Sequence, residues 1–417
     1  NSYLFPDEYG FFLILGLILK EIPFLILVSL SALREFSSSK FFDMGKSLQH
    51  SSFSTWFILI FPIIYKKIRL VIFIIIAFSS SVVDMSLLLA PSTPSTLSVR
   101  ILQIFQSSDM DSFFIASNLS LIQLFIIIIL LIVWIFFEKI IKLKFFYIFF
   151  IKITSFKSEF LKITILCFNI ILFLLSFMGI ICSILWGFSE NWYFPNFFPN
   201  DLNIENFLNF YYQNKSLILI SIFIPLMVSL LSISLIILWV ELLDYLNITK
   251  TQFEWIIFTP LFIPQISFLI GIQSFMIFFN FNSFLIPLIF VQLFYVIPYC
   301  FIILAPAMRE VKSDYIKVAS SLGKNRIVRL FKIKIPLVLP SLMTSFAIGM
   351  IVSFALYVPV YFIGAGRVTT LTVEALNLAL SGSKQDLGIA TFFQILFPTL
   401  LLFTIAFINR KTIKWQI

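Results

Sequence analysis

Charge is what this sequence lacks most. Asp, Glu, Lys and Arg make up 12% of its 417 residues, against 60% hydrophobic, and mean hydropathy is +1.05. Charged residues account for about a quarter of an ordinary soluble domain, so that class is excluded and the chain reads as a multi-span membrane protein. Histidine is nearly absent. With His50 alone, the clustered motifs that a membrane-embedded enzyme needs cannot be assembled, and His50 itself reads as a solvated loop residue rather than a ligand or pH sensor. The three cysteines, Cys167, Cys182 and Cys300, lie inside apolar runs without disulfide or metal-ligand spacing. Glycine is scarce, with 12 residues, while Phe reaches 55. AT-rich coding gives this bias, and lipid-facing positions tolerate it. The net charge of +9 belongs to basic loops rather than to a nucleic-acid footprint, so no nucleic-acid partner is expected.

Long apolar runs are what the sequence has instead. A span needs about 20 apolar residues, and nine candidates lie near 11–32, 68–90, 119–138, 161–187, 216–240, 256–278, 283–305, 341–363 and 388–408. The loop 306–340, the linker Lys139–Lys162 and the tail with Arg410, Lys411 and Lys414 are basic, which places them in the cytoplasm. Loop 188–215 carries Glu190, Asp201 and Glu205 against Lys215 and is expected outside. Alternation then leaves the C-terminus inside, in a multi-pass protein of the cytoplasmic (inner) membrane.

The best-patterned polar stretch runs from Arg309 to Pro340, with eight Lys/Arg against two acids. Tyr315, Val318, Ala319 and Leu322 recur at i, i+3, i+4 and i+7, one apolar stripe on a short helix. Ser313 gives an N-cap signal, Gly323 a helix end, Asn325 a second cap, and Pro336 and Pro340 a stop. A basic loop obeying the positive-inside rule accounts for the charge but not for the stripe, turn and stop. These resemble the coupling motif of ABC importer permeases: Glu-Ala-Ala, three residues, Gly, about a dozen residues, then hydrophobic-Pro. Ala319, Leu322, Gly323 and Pro336 fit in register, whereas Lys317 stands at the family's Glu position and Val318 at its first Ala.

Shifting the chain by 274 positions reveals a repeat. Pro336 falls on Pro62, Leu322 on Leu48 and Phe331 on Phe57. The stripe falls on Phe41, Met44, Gly45 and Leu48, Thr370-Leu371-x-Val373 on Thr96-Leu97-x-Val99, and Ile389-Ala390 on Ile115-Ala116. With one residue of slippage, Ile297-Pro298 and Arg309-Glu310 meet Ile22-Pro23 and Arg34-Glu35. Such collinearity indicates duplication into halves related by an axis along the membrane normal. The expected domains are 1–139, the C-terminal part of a first half; 140–160, a basic linker; and 161–417, a complete second half. Span arithmetic leads us to expect three further spans, roughly a hundred residues, ahead of Asn1. The first coupling segment is degenerate: Asp43 occupies the Glu position, Gly45 an Ala position, and Gln49 replaces the Gly. It either docks unequally or has drifted into a plain loop.

Other motifs carry two readings each. Gly45-Lys46-Ser47 resembles the end of a phosphate loop, but Lys40 stands where Gly is required, so no nucleotide site is assigned. Lys20-Glu21 and Asp84 put charge inside apolar runs, which points either to a pore or to an interface. Pro260 and Pro264 break the run 256–278, where Gln265 and Gln273 either hydrogen-bond a solute or pack on another helix. Gly364 to Arg367, followed by Thr369–Thr372, marks either a re-entrant loop at the outer mouth or a capped surface helix. The aromatic, acidic segment Trp192–Tyr212 reads as an interfacial belt or as a seat for a soluble partner.

Across its length the chain is similar to fused, two-half type I ABC importer permeases, all-α polytopic membrane proteins. Among these it most resembles the thiamine and iron(III) group, on the run Gly364–Ser383. The resemblance implies alternating access driven by two ATPase subunits at Phe41–Leu48 and Tyr315–Leu322, with solute delivered by a periplasmic binding protein. ATP is then used by the partner, no cofactor or metal is expected in this chain, and the chain is not itself an enzyme. Candidate pathway residues are Gln265, Gln273, Pro264, Glu21, Asp84 and Arg367. The competing class, an ion-coupled secondary transporter or channel, calls for several buried carboxylates or histidines at mid-span. Glu21 and Asp84 alone qualify.

Overall fold

In hydrocarbon each backbone N–H and C=O must find its partner within the chain, which restricts apolar spans to helices or closed barrels. These Phe-, Ile- and Leu-rich runs form helices. The computed structural model describes the chain apart from residues 1–6, 35–37, 48–54, 108–109, 151–157, 191, 193–195, 200, 247, 249–253, 280–282, 312 and 414–417. Among the described residues the one extended pairing is an isolated antiparallel bridge, Ser189 to Leu202. The protein is an all-helical polytopic membrane protein.

Two compact units emerge, residues 1–179 with 261–267, and residues 180–260 with 268–417. The first contains α1 (Phe11–Arg34), α2 (Ser38–Ser47), α3 (Phe61–Ser81), α4 (Asp84–Leu89), α5 (Leu97–Phe105) and α6 (Met110–Phe150). Asp7 starts it: its carboxylate accepts the N–H groups of Phe11 and Phe12, each at 2.7 Å. The Phe12 amide bond leads in holding that carboxyl below its usual range. Ile60, Ile64 and Ile68 form a core with Leu25, Val28, Phe41 and Trp56 packed against it. Helix α7 (Ser158–Phe188) follows; the most apolar window of its span is unburied, while Gly187 near its end is buried.

The second unit is built on α9 (Lys215–Tyr245), α12 (Leu285–Arg309) and α16 (Leu339–Ala355), preceded by α8 (Glu205–Gln213). Between α9 and α12 lie α10 (Trp255–Phe262) and α11 (Gln265–Phe278). After α12 come α13 (Ser313–Ser321), α14 (Arg326–Arg329) and α15 (Ile335–Leu337). The chain ends in α17 (Val358–Gly364), α18 (Leu371–Ser381) and α19 (Lys384–Ile413). Small side chains let the three central helices approach, with Ser229, Ser232, Cys300, Ser345 and Ala347 all buried.

The repeat recurs in backbone detail. Wide turns of π type occupy Trp56–Ile60 and Leu330–Lys334, 274 positions apart, each ending one residue before the residue that precedes Pro62 or Pro336. There Phe61 N–H reaches Trp56 C=O, and Ile335 N–H reaches Leu330 C=O, because the coming proline disturbs the ordinary ladder. At the same offset both halves break at an extended residue, Val82 (ψ 136°) and Leu356 (ψ 111°). A hydroxyl satisfies a carbonyl left open at each break: Ser98 Oγ donates to Val82 O at 2.7 Å, and Thr372 Oγ1 to Phe354 O at 2.6 Å. Ser98 and Thr372 are themselves 274 apart.

Hydropathy counts apolar residues and not straightness, so the nine candidate spans become fewer among the described residues. Six described helices are long and apolar enough to cross a membrane, or eight when two bent pairs each count as one. The run 256–278 is α10 and α11, bent by 101° at Pro264, and Arg326–Leu337 meets α16 at 78°. The run 68–90 is α3 and α4, parted at Val82–Val83, and 341–363 is α16 and α17.

Helices α7 and α19 approach most closely at Gly187 and Gly388. A Cβ on Gly388 would collide with the Gly187 amide and lie 2.8 Å from both the Ser183 carbonyl oxygen and the Trp186 carbonyl carbon, all of them backbone. Gly388→Ala is therefore expected to lower the thermal midpoint of the solubilised protein, with overpacking of about 1–3 kcal/mol exceeding the helix-propensity gain of about 1 kcal/mol. Gly179→Ala, where a Cβ meets nothing within 4 Å, raises it. Equal shifts in the two variants would contradict this packing.

Candidate coupling site

The site grows out of a nine-residue helix, α13, whose end is locked by its own backbone. Lys324 N–H reaches Ala319 O at 3.1 Å, and Gly323 N–H reaches Ser320 O at 3.0 Å, the paired bonds of a Schellman turn. This turn needs a left-handed residue, and Gly323 has φ +71°. Asn325 then caps α14, its Oδ1 accepting from Val328 N–H at 3.0 Å. Pro336 stands at the start of α15 after the π turn. The cap chemistry expected of Ser313 falls among side chains outside the described residues.

The apolar stripe divides. Ala319 is 4% exposed and turns inward, while Tyr315, Val318 and Leu322 are 52%, 59% and 70% exposed. Three large apolar side chains thus stand in solvent on one short helix, with Lys317 and Lys324 exposed beside them. Ile327 and Phe331 extend the exposed apolar surface past the turn. In the first half two of the equivalent positions keep the same sides. Met44 is exposed like Val318, and Gly45 is buried like Ala319. The Thr55 side chain fills the space a Cβ at Gly45 would need, so glycine replaces alanine there. Phe41 instead packs against the Ile60 cluster, Asp43 is exposed, and Pro62 follows its π turn exposed on α3. Leu48, Gln49 and His50 lie outside the described residues.

What holds the second segment was not singled out from sequence. Glu241 and Asp244 lie on one face at the C-terminal end of α9, where a negative charge opposes the helix dipole and a cation is needed. Lys334, 4% exposed, supplies it: Nζ is 2.5 Å from Glu241 Oε1 and 2.5 Å from Asp244 Oδ2. Arg326 Nε is 3.4 Å from Glu241 Oε2, its NH2 donates to the Glu241 carbonyl, and its guanidinium covers the Tyr245 ring at 4.9 Å. Both ends of the α14–π-turn segment are therefore tied to α9. Arg309 at the end of α12 pairs with Glu254 at 2.5 Å. A second missed cluster sits in the other unit: Glu138, 6% exposed, receives Arg69 at 2.8 Å and the Tyr65 hydroxyl at 2.5 Å. Two acids three residues apart at the end of an apolar helix, in a chain with a strongly basic loop, were the available signal.

Of the candidate pathway residues, Gln265 opens α11 directly after buried Pro264, and the Gln273 Oε1 is buried without a partner in the structure. Half-buried Glu21 lies in mid-α1, next to Lys20, whose Nζ lies 4.3 Å over the Phe78 ring. Asp84 begins α4, where the helix N-terminus favours its charge. Arg367 is exposed and stacks on Phe284 at 4.4 Å. Among the described residues no His, Cys, Asp and Glu cluster suited to a metal ion is present.

Glu241→Gln removes one of the two carboxylates shared by a buried ammonium. It is expected to cost about 1–3 kcal/mol, read as a lower thermal midpoint in detergent. An unchanged midpoint would show that the α9 clamp carries no stability.

Residues 214–413, from the start of α9 to the end of α19, match the family model described as "binding-protein-dependent transport system inner membrane component". Over 413 residues the chain is 24% identical to the inner membrane ABC transporter permease protein YnjC of Escherichia coli (strain K12), covering 98% of this chain and 74% of that protein.

Proposed function

We propose that the chain is the transmembrane permease subunit of an ATP-driven, binding-protein-dependent importer of a small solute, working by alternating access in the inner membrane. The family match over residues 214–413 and the similarity to a permease support a membrane permease of a binding-protein-dependent ABC system. The observation that carries the coupling role is the exposed trio Tyr315, Val318 and Leu322 on a helix with a locked end. Each such side chain is worth about 1.5–3 kcal/mol when fully buried. A rigid apolar knob of this kind is built to be covered by a partner.

In this reading an ATPase subunit receives Tyr315–Leu322 in an apolar groove, and a second receives Phe41–Leu48 less tightly, since Phe41 packs into the core where Tyr315 is exposed. ATP closure pushes α13, and Gly323, Asn325 and the Arg326 and Lys334 anchors carry the motion into α9 and α16. The halves 1–139 and 161–417, joined by 140–160, then rock around a pathway drawn from Gln265, Gln273, Pro264, Glu21, Asp84 and Arg367. A soluble binding protein delivers solute from outside, and the C-terminus and coupling loops face the cytoplasm. ATP binds only the partner. Assignment to the thiamine and iron(III) group is part of the same proposal, and thiamine or a related compound as the solute rests on the run Gly364–Ser383 alone.

Gly323→Val forces a β-branched residue into left-handed backbone at a cost of about 1–2 kcal/mol, while Gly323→Asn accommodates it. A Cβ there meets nothing within 4 Å, so both variants are expected in the membrane at wild-type levels. Co-purification of an ATPase from solubilised membranes is expected to be lost with Gly323→Val and kept with Gly323→Asn. Wild-type recovery with Gly323→Val would refute the coupling assignment.

A further inference from the structure

The clamp on α9 borders a cleft of about 660 Å³, lined by Arg309, Lys317, Arg326, Arg329 and Lys334 against the carboxylates of Glu241 and Asp244. Both carboxylates are engaged, by Lys334 and, for Glu241, also by Arg326. Arg309 has Glu254. Arg329 is different: its Nε is buried and has no hydrogen-bond acceptor in the structure. A buried charged donor without an acceptor is costly, and an anion beside Arg329 would remove that cost.

We propose that this cleft binds the phosphate of an anionic phospholipid, with Arg329 as its principal donor. Two features select a lipid over a soluble phosphate. The cleft lies where two long apolar helices end, α9 at Tyr245 and α12 at Arg309, so it stands at headgroup level. Its remaining wall is apolar, formed by Leu243, Ile248, Met308 and Leu330, which suits the glycerol and acyl chains below a phosphate. Basic pockets between helix ends at the membrane surface take acidic headgroups in this way. Arg329 immediately precedes the π turn, so a bound lipid would brace the segment that follows α13. The inference rests on α9 and α12 spanning the membrane, not on the transport assignment.

The test is native mass spectrometry of the full-length protein, with phosphatidylglycerol and phosphatidylcholine offered in equal amounts. Wild type is expected to retain phosphatidylglycerol preferentially, and Arg329→Gln to lower that retention about fivefold, the worth of one cation at a membrane surface. Arg329→Lys keeps most of the preference. Lys139→Gln, an exposed cation outside the cleft, leaves it unchanged. Equal retention of both lipids, or undiminished phosphatidylglycerol on Arg329→Gln, overturns the proposal. Inorganic phosphate offered alone is the second arm. Arg329-dependent phosphate binding that phosphatidylglycerol does not displace overturns the lipid source. Loss of a co-purifying ATPase on Arg329→Gln with lipid retention intact assigns Arg329 to a protein carboxylate and also overturns it.

Discussion

A buried ammonium cannot stand alone, and Lys334 shows how this chain uses that rule. Its side chain is 6% exposed and shared between Glu241 and Asp244. Removing one partner of such a group leaves an uncompensated buried charge, so the geometry is far better defined than that of a surface pair. Because Arg326 reaches the same glutamate, the segment between the two cations is fastened to the end of α9 at both ends. The Schellman turn at Gly323 fixes α13 against that fastened segment. A push on α13 would therefore meet a connected structure instead of a slack loop, as the proposed coupling role of Tyr315, Val318 and Leu322 requires.

The bilayer imposes the second constraint. Where the apolar runs break, the freed carbonyls must be satisfied internally, and both halves do so with a hydroxyl from the second helix after the break, Ser98 and Thr372. The same offset relates the two π turns and the prolines behind them. The breaks thus recur at the offset that the sequence repeat follows. The halves diverge at the coupling segments themselves, where Phe41 has joined the core while Tyr315 faces solvent.

Much of this was legible in the sequence. The all-helical membrane class followed from hydropathy, the repeat from its 274-residue register, and the helix, Gly turn and Asn cap of the coupling segment from propensity and capping rules. Three things were not. Hydropathy averages over Val82 and Leu356, so interrupted helices read as continuous spans. The i+4 periodicity put Ala319 with the exposed trio, because a small apolar residue gives no sign of which edge of a stripe it occupies. The acids on α9 lie 85 to 93 positions from the cations they bind, and no local pattern announces so distant a pairing.

The central claim is that the face of α13 bearing Tyr315, Val318 and Leu322 is covered by an ATPase in the membrane. Ser320 is exposed on this helix, and the exposed Cys167 and half-buried Cys182 can be replaced by serine, leaving only the buried Cys300. Crosslinking native membranes from Ser320→Cys, followed by identification of the adduct, tests the claim most directly. The account predicts an ATPase subunit in the adduct and its loss when Leu322→Ala is added. Membranes that yield no ATPase adduct, while the protein is present at its normal level, would contradict it.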